Sequence, residues 1–400
     1  MRRRLAVAAV ASLVPAVARL SGAVLLLLAA HQASAQDAAS CLECHALPEQ
    51  ELSFPKGDTR SITLDPKAWG ASAHGEAGLD CNACHTEHGE YPHAEIKDAG
   101  SREYAVARTG TCVTCHEDQV RKFADGVHFA MRQAGNHKAA VCTDCHDPHA
   151  GKRLTDPEQG TLLPEARIAV PRTCARCHGA IFDEYQASAH GAALLGEGNP
   201  DVPTCTDCHG VHQISDPRTA RFRVNSPKIC AGCHTAAARM ARYGLSTSVL
   251  KTYVADFHGS TVTLFQKTRP DQATNKPVCY DCHGVHDIPH TDDPEKGIKT
   301  KANLLRTCQH CHPDATANFP DSWMSHFVPD RERSPLVFWV GWFYRILIPV
   351  TLGGMLLFVG ADFARRRVDR RREARAKEPA GAEPGGATPG GETPGGETPS

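Results

Sequence analysis

Two stretches of the chain are apolar enough to leave water, and they stand near its two ends. Leu20 to Ala30 is apolar, preceded by Arg2, Arg3 and Arg4 and followed by Ala33-Ser34-Ala35. A basic opening, an apolar middle and an A-x-A site predict a secretory signal peptide over residues 1–35, cut before Gln36, with an uncleaved anchor as the alternative. Leu336 to Ala361 is the second apolar run. At about 1.5 Å per helical residue it is long enough for a bilayer core of about 30 Å, and a transmembrane helix is predicted over 332–362. Trp339, Trp342, Phe343 and Tyr344 fit an interfacial belt at its outer end, and Arg365, Arg366, Arg367, Arg370, Arg371, Arg372, Arg375 and Lys377 follow it. The positive-inside rule then puts the C-terminus in the cytoplasm and residues 36–331 in the periplasm of a bacterial inner-membrane, single-pass protein in contact with membrane lipid. Arg345, inside the span, reads either as snorkelling outward or as a contact with a partner inside the membrane. Pro349 predicts a kink. The tail 363–400 is basic and then, from Glu378, a low-complexity run of Pro-Gly-Gly-Glu-Thr repeats.

Between these ends no strand alternation is sustained. Proline, glycine and aspartate interrupt the chain, as in Asp156-Pro157-Glu158-Gln159-Gly160 and Thr291-Asp292-Asp293-Pro294. The expected fold is mainly α with extensive irregular loops. What recurs is Cys-x-x-Cys-His, at Cys41/Cys44/His45, Cys81/Cys84/His85, Cys112/Cys115/His116, Cys142/Cys145/His146, Cys174/Cys177/His178, Cys205/Cys208/His209, Cys230/Cys233/His234, Cys279/Cys282/His283 and Cys308/Cys311/His312. These nine units use all 18 cysteines. The unit is the attachment signature of c-type haem: the thiols add to the porphyrin vinyl groups and the histidine is held against the iron. Disulfide frameworks do not place a histidine after every second cysteine, and zinc knuckles do not call for it either. Nine covalently attached haems are expected. Attachment of c-type haem requires export, which agrees with the leader.

The chain has 23 histidines, nine of them in the motifs. His88, His149, His212 and His286 each stand three residues after a motif histidine. None can reach the far face of its neighbour's haem, because the porphyrin lies between. If such a histidine binds iron, it binds that of another haem. His74, His128, His190 and His258 each follow an aromatic by five residues (Trp69, Phe123, Tyr185, Tyr253), and His326 resembles them without the aromatic. The two sets together supply nine candidate distal ligands for nine irons, imidazole being a common iron ligand. His93 and His137 are the nearest substitutes, His31 falls in the leader, His310 sits inside a motif, and His290 is left over.

Ordered along the chain, the motifs form a repeat: CxxCH, aromatic-x4-His, CxxCH-x-x-His, over 41–88, 112–149, 174–212 and 230–286, closed by a half unit with His326. Aromatics make up only 6% of the chain. The macrocycles would therefore provide much of the buried apolar surface, and the fold is expected to be specified by haem. Asp144, Asp207 and Asp281, before the second cysteine of three motifs, read as groups tuning ligands or propionates, or as loop positions facing water. The formal charge of −1 decides little, because the basic tail offsets a more acidic exported part.

The CxxCH array with its CHxxH histidines and SxHG segments resembles the multihaem c-type cytochromes of the doubled-CxxCH kind, similar to class III cytochromes and to decahaem conduits, over about residues 41–326. The resemblance implies electron transfer. The C-terminal anchor is unlike that of quinol dehydrogenases anchored at the N-terminus. It is more similar to multihaem subunits that pair with a membrane b-type cytochrome or other quinone-linked subunit. Periplasmic or outer-membrane redox proteins would be the other partners, and no nucleic-acid partner is expected. An iron with two imidazoles is coordinatively full, so an electron-transfer subunit is expected and no catalytic residue is assigned. A multihaem oxidoreductase of nitrogen or sulfur compounds would need one open iron. Such enzymes mark it with lysine in place of the motif histidine, and no CxxCK occurs here. An open site would fall at the first or last haem. Haem storage or redox sensing is a third reading, without a signalling domain after the span to support it. With His326 ten residues before Leu336, the last haem should lie at the membrane face.

Overall fold

The structure, a computed structural model, describes residues 38–322, 326–332 and 334–376. The predicted leader, His31 and the low-complexity tail lie outside the described residues. The chain divides into two units, 1–327 and 328–400.

The first unit is built of short helices joined by loops, among which Ala220–His234, with 15 residues, is the longest. Strand structure among the described residues is slight. Glu51–Ser53 pairs antiparallel with Thr59–Ser61, and Thr155 bridges Leu162. Three residues are too few to register as alternation. The hairpin is closed by Gly57, at φ +90°, whose N–H donates to Phe54 O at 2.9 Å. Buried apolar side chains among the described residues are few, with Phe54, Leu194, Met240 and Tyr253 the large ones. Val224, Val262 and Val278 form one cluster, flanked by Phe265 and Tyr280, where the helices Ala220–His234, Phe257–Thr268 and Cys279–His283 meet. Fully burying a valine, leucine, phenylalanine or methionine contributes about 1.5–3 kcal/mol. So sparse a core does not offset the ordering of a unit this long, at about 1–2 kcal/mol per residue. The helices are positioned instead by their ends, through caps and ion pairs described below.

The second unit is dominated by the helix Pro335–Ala376, 42 residues long and, among the described residues, the one helix long and apolar enough to cross a membrane. It fits a single-pass anchor. Its proline start needs no partner for a missing N–H. The predicted span of 332–362 is exceeded at its C-terminal side. The helix runs on without interruption through Arg365 to Arg375, and through Pro349. Arginine, glutamate and alanine are good helix formers, and no glycine or proline breaks the run before Ala376. Arg345 packs over the Trp342 ring, 5.7 Å from its centre, one helical turn away.

Candidate haem sites

The nine motifs take two local forms, alternating along the chain. The first, third, fifth, seventh and ninth stand at or just after the end of a helix: Ala38–His45, the 3-10 turn Thr109–Thr114 after Ser101–Arg108, Pro164–Ala175, Ala220–His234 and Lys301–Gln309. The even ones begin a helical turn of their own: Cys81–Ala83, Cys142–Cys145, Cys205–His209 and Cys279–His283. Neighbouring motifs meet through their cysteines. The first thiols hydrogen-bond within each repeat, Cys41 to Cys81, Cys112 to Cys142, Cys174 to Cys205 and Cys230 to Cys279. Between repeats the second thiols take over. Cys84 lies in the field of Cys112 and Cys115, Cys145 of Cys174 and Cys177, Cys208 of Cys230 and Cys233, and Cys282 of Cys308 and Cys311. Burial, with these neighbours, holds the Cys208 and Cys282 thiols up at about 11. Each motif thus abuts the next one in the sequence.

Cys44 stands with Cys41 and His45 on the helix Ala38–His45, and the motif spacing assigns it to the first site. The second thiols of the later odd motifs, Cys115, Cys177, Cys233 and Cys311, each meet the even motif of the preceding repeat.

The aromatic-x4-His segments are two helices with a sharp joint. His74, His128, His190 and His258 are each the second residue of a helix: Ala73–Glu76, Val127–Gln133, Ala189–Glu197 and Phe257–Thr268. Ser72, Ser188 and Asp256 cap three of these, accepting from the N–H of Gly75, Gly191 and Gly259 at 3.0 Å. Those glycines are required. A Cβ would lie 2.1, 1.8 and 2.1 Å from the carbonyl oxygens of Trp69, Tyr185 and Tyr253. The aromatics end the preceding helices, and the Tyr185 and Tyr253 hydroxyls donate to Pro203 O (2.7 Å) and Pro277 O (2.8 Å), just ahead of the next motifs. One further backbone bond docks each of the first three joints on the following repeat. Ala73 N–H donates to Gly151 O, Val127 to Ile214 O and Ala189 to Ile288 O, each acceptor two residues past a CHxxH histidine.

These contacts bring imidazoles together in twos. His74 faces His116 with ring centres 6.1 Å apart, His128 faces His178 at 6.2 Å, His190 faces His234 at 6.2 Å and His258 faces His312 at 6.4 Å. His149 faces His85 at 5.9 Å, His212 faces His146 at 6.0 Å, His286 faces His209 at 6.0 Å and His326 faces His283 at 6.1 Å. The first set sends a histidine forward to the odd motif of the next repeat; the second sends one back to the even motif of the previous repeat. The planes differ too, inclined 32–49° in the forward set and 15–29° in the backward set. His88 is the one candidate not brought opposite the histidine of another motif. It stands beside its own motif's His85, at 6.2 Å, and it is His93 that faces His45, at 6.1 Å and 23°. The reason is positional: the iron that a backward-reaching His88 would serve belongs to a repeat upstream of the first motif.

Burial favours the neutral form, the one that ligates metal, at the most buried of these rings. His85, His190 and His283 are held down to about 4 by burial and then by the facing imidazole, and His146, His149, His212, His234 and His326 are lowered chiefly by burial. Where Nδ1 meets a backbone carbonyl it must donate, which leaves Nε2 for a metal. His45 does so to Ile62 O (3.2 Å), His74 to Pro148 O (3.2 Å) and His93 to Glu90 O (2.8 Å).

The three aspartates have a role that neither sequence reading assigned. Asp144, Asp207 and Asp281 accept from the N–H of Val141, Thr204 and Val278 at the start of their motif helices. They also pair with Arg102, Arg167 and Arg223 from the helix leading into, or carrying, the preceding motif. Each arginine donates as well to the carbonyl five residues before its aspartate, at Ala139, Val202 and Lys276. The arginines gave no signal in sequence except their recurrence upstream of an odd motif. In the first repeat Ala83 replaces the aspartate, and Arg108 pairs with Glu87 and Asp98 instead.

The donor set fits haem. Two metal–imidazole bonds of about 2 Å, with about 1.1 Å from each nitrogen to its ring centre, set the centres about 6 Å apart. Imidazoles in twos leave the other four positions of an iron to a porphyrin, whereas a zinc cage needs four protein donors. The family model of the doubled CXXCH motif matches residues 198–239, which hold the sixth and seventh motifs and the joint between repeats. No curated protein matches the chain. The match agrees with covalently bound c-type haem and with the multihaem cytochromes c of electron transfer.

Proposed function

We propose that this chain is a membrane-anchored, nine-haem electron wire. It carries electrons between the quinone pool, reached through a membrane partner such as a b-type cytochrome, and periplasmic or extracellular redox proteins. Bound haem supplies a one-electron iron couple whose potential is set by its axial ligands and its burial. The chain's own residues would do three things: each CxxCH would hold one haem, the facing imidazoles would ligate its iron, and the cysteine contacts would keep neighbouring haems close. The observation that carries the reading is the pairing of every motif histidine with a second imidazole at 5.9–6.4 Å. An iron so filled has no position for substrate, which favours relay over catalysis. The cysteine contacts support a single-file order, first motif to ninth. The ninth would be the membrane-side terminus, since its motif is the last before the anchor helix in the sequence, whereas His326 serves the eighth through His283.

The test is the electron paramagnetic resonance spectrum of the oxidised, fully loaded protein, with haem counted as the pyridine haemochrome. Nine low-spin haems per chain are expected. A stoichiometric high-spin haem would favour the oxidoreductase reading, with substrate at the open iron.

A further inference from the structure

The exchange of histidines between repeats serves eight motifs and does not reach His45 of the first. Two histidines stand near that site. We propose that His93 fills the distal position opposite His45, and that His88 is a reserve ligand for the same iron, so that this site has two distal imidazoles within reach. The inference rests on the nine-haem reading.

The geometry favours His93 as the resident ligand. Its ring centre is 6.1 Å from that of His45, and the Nδ1 atoms of both rings are engaged by carbonyls, Glu90 O and Ile62 O, leaving both Nε2 atoms free to ligate. The 23° inclination belongs with the backward-reaching pairs, although the motif is of the odd kind. The site is therefore built differently from every other odd site. His88 lies 5.6 Å from His93, with both ring nitrogens out of water and without a hydrogen-bond partner. A buried nitrogen left so is costly, by about 1–3 kcal/mol. The ring is placed where a metal bond would satisfy it. The segment bearing His93 is free to yield. Residues 89–98 make no backbone–backbone hydrogen bond among the described residues, whereas the other forward ligands start capped or docked helices. Exchange breaks one metal–imidazole bond and makes another, with no net transfer of an electron or a proton.

The test uses the full-length, haem-loaded protein and the variants His88→Ala, His93→Ala and the double variant, each assayed for haem count, low-temperature paramagnetic resonance and carbon monoxide binding after reduction. His88→Ala should match the parent. His93→Ala should remain low-spin, with one signal of nine shifted and no carbon monoxide bound. The double variant should show one high-spin haem and bind one carbon monoxide per chain. High-spin haem in His88→Ala, stoichiometric high-spin haem in His93→Ala, or none in the double variant would each overturn the proposal. A parent with fewer than nine haems, or already high-spin, would instead sink the nine-haem reading. The parent spectrum adds a check independent of any variant: five near-parallel low-spin haems are expected, and four would contradict the placement of His93.

Discussion

The glycine after three of the helix-borne histidines is fixed by its neighbour. Gly191 sits where any Cβ would strike Tyr185 O, and that contact holds the joint from which His190 reaches His234. Gly191→Ala should cost about 3 kcal/mol, within the range for overpacking, and lower the thermal midpoint of the loaded protein. His190→Ala should leave the joint intact and free one axial position, giving one high-spin haem of nine without loss of haem. Asp207→Ala removes a cap and the partner of Arg167 together. A loss of about 2 kcal/mol is expected from the cap and the charged hydrogen bond, read as a lower denaturation midpoint. Ring planes set the shape of a low-spin iron spectrum, so the forward and backward pairs should resolve into two classes of signal, the more inclined class at higher g. At this scale the CxxCH units and the eight histidines that face a motif histidine were legible in the sequence, because each repeats with its own spacing. The arginine partners were not, because a lone arginine carries no pattern until the fold brings it to an aspartate some 40 to 60 residues away.

The elements were legible where chemistry marks them and obscure where only packing does. Helices at the motifs and at the aromatic-x4-His segments follow from that spacing, and the joint between them from the Ser-x-His-Gly sequence. The small Glu51–Ser53 ribbon was invisible, being too short for periodicity. The anchor helix was expected to end near its apolar run, but helix propensity carries it on through the arginines. At about 1.5 Å per residue its 42 residues measure about 63 Å, roughly twice a bilayer core. A rigid basic rod then projects beyond the apolar core. Arg371→Pro should break it, lowering helix content in the isolated anchor in detergent by about one to two turns, as circular dichroism would read it.

Across the described residues, no repeat pairs all of its own motif histidines. Each joint passes one imidazole forward and one back, as His128 to His178 against His212 to His146. A chain ending at Thr300 loses the ninth motif together with His326, which faces His283. It should carry eight haems, one of them high-spin, rather than eight equivalent low-spin ones. Haem-free protein should lack the native helix content, since so few buried apolar side chains cannot organise the unit; native-like circular dichroism without haem would contradict this. The mutual exchange also fixes how such a molecule can change length. Cutting out one motif strands a donor on one side and an iron on the other. Splicing in a whole copy of a middle repeat, such as 174–229, strands neither, because the new segment gives and receives one ring at each of its borders. The array can therefore grow or shrink only by twos, and its length is a matter of parity.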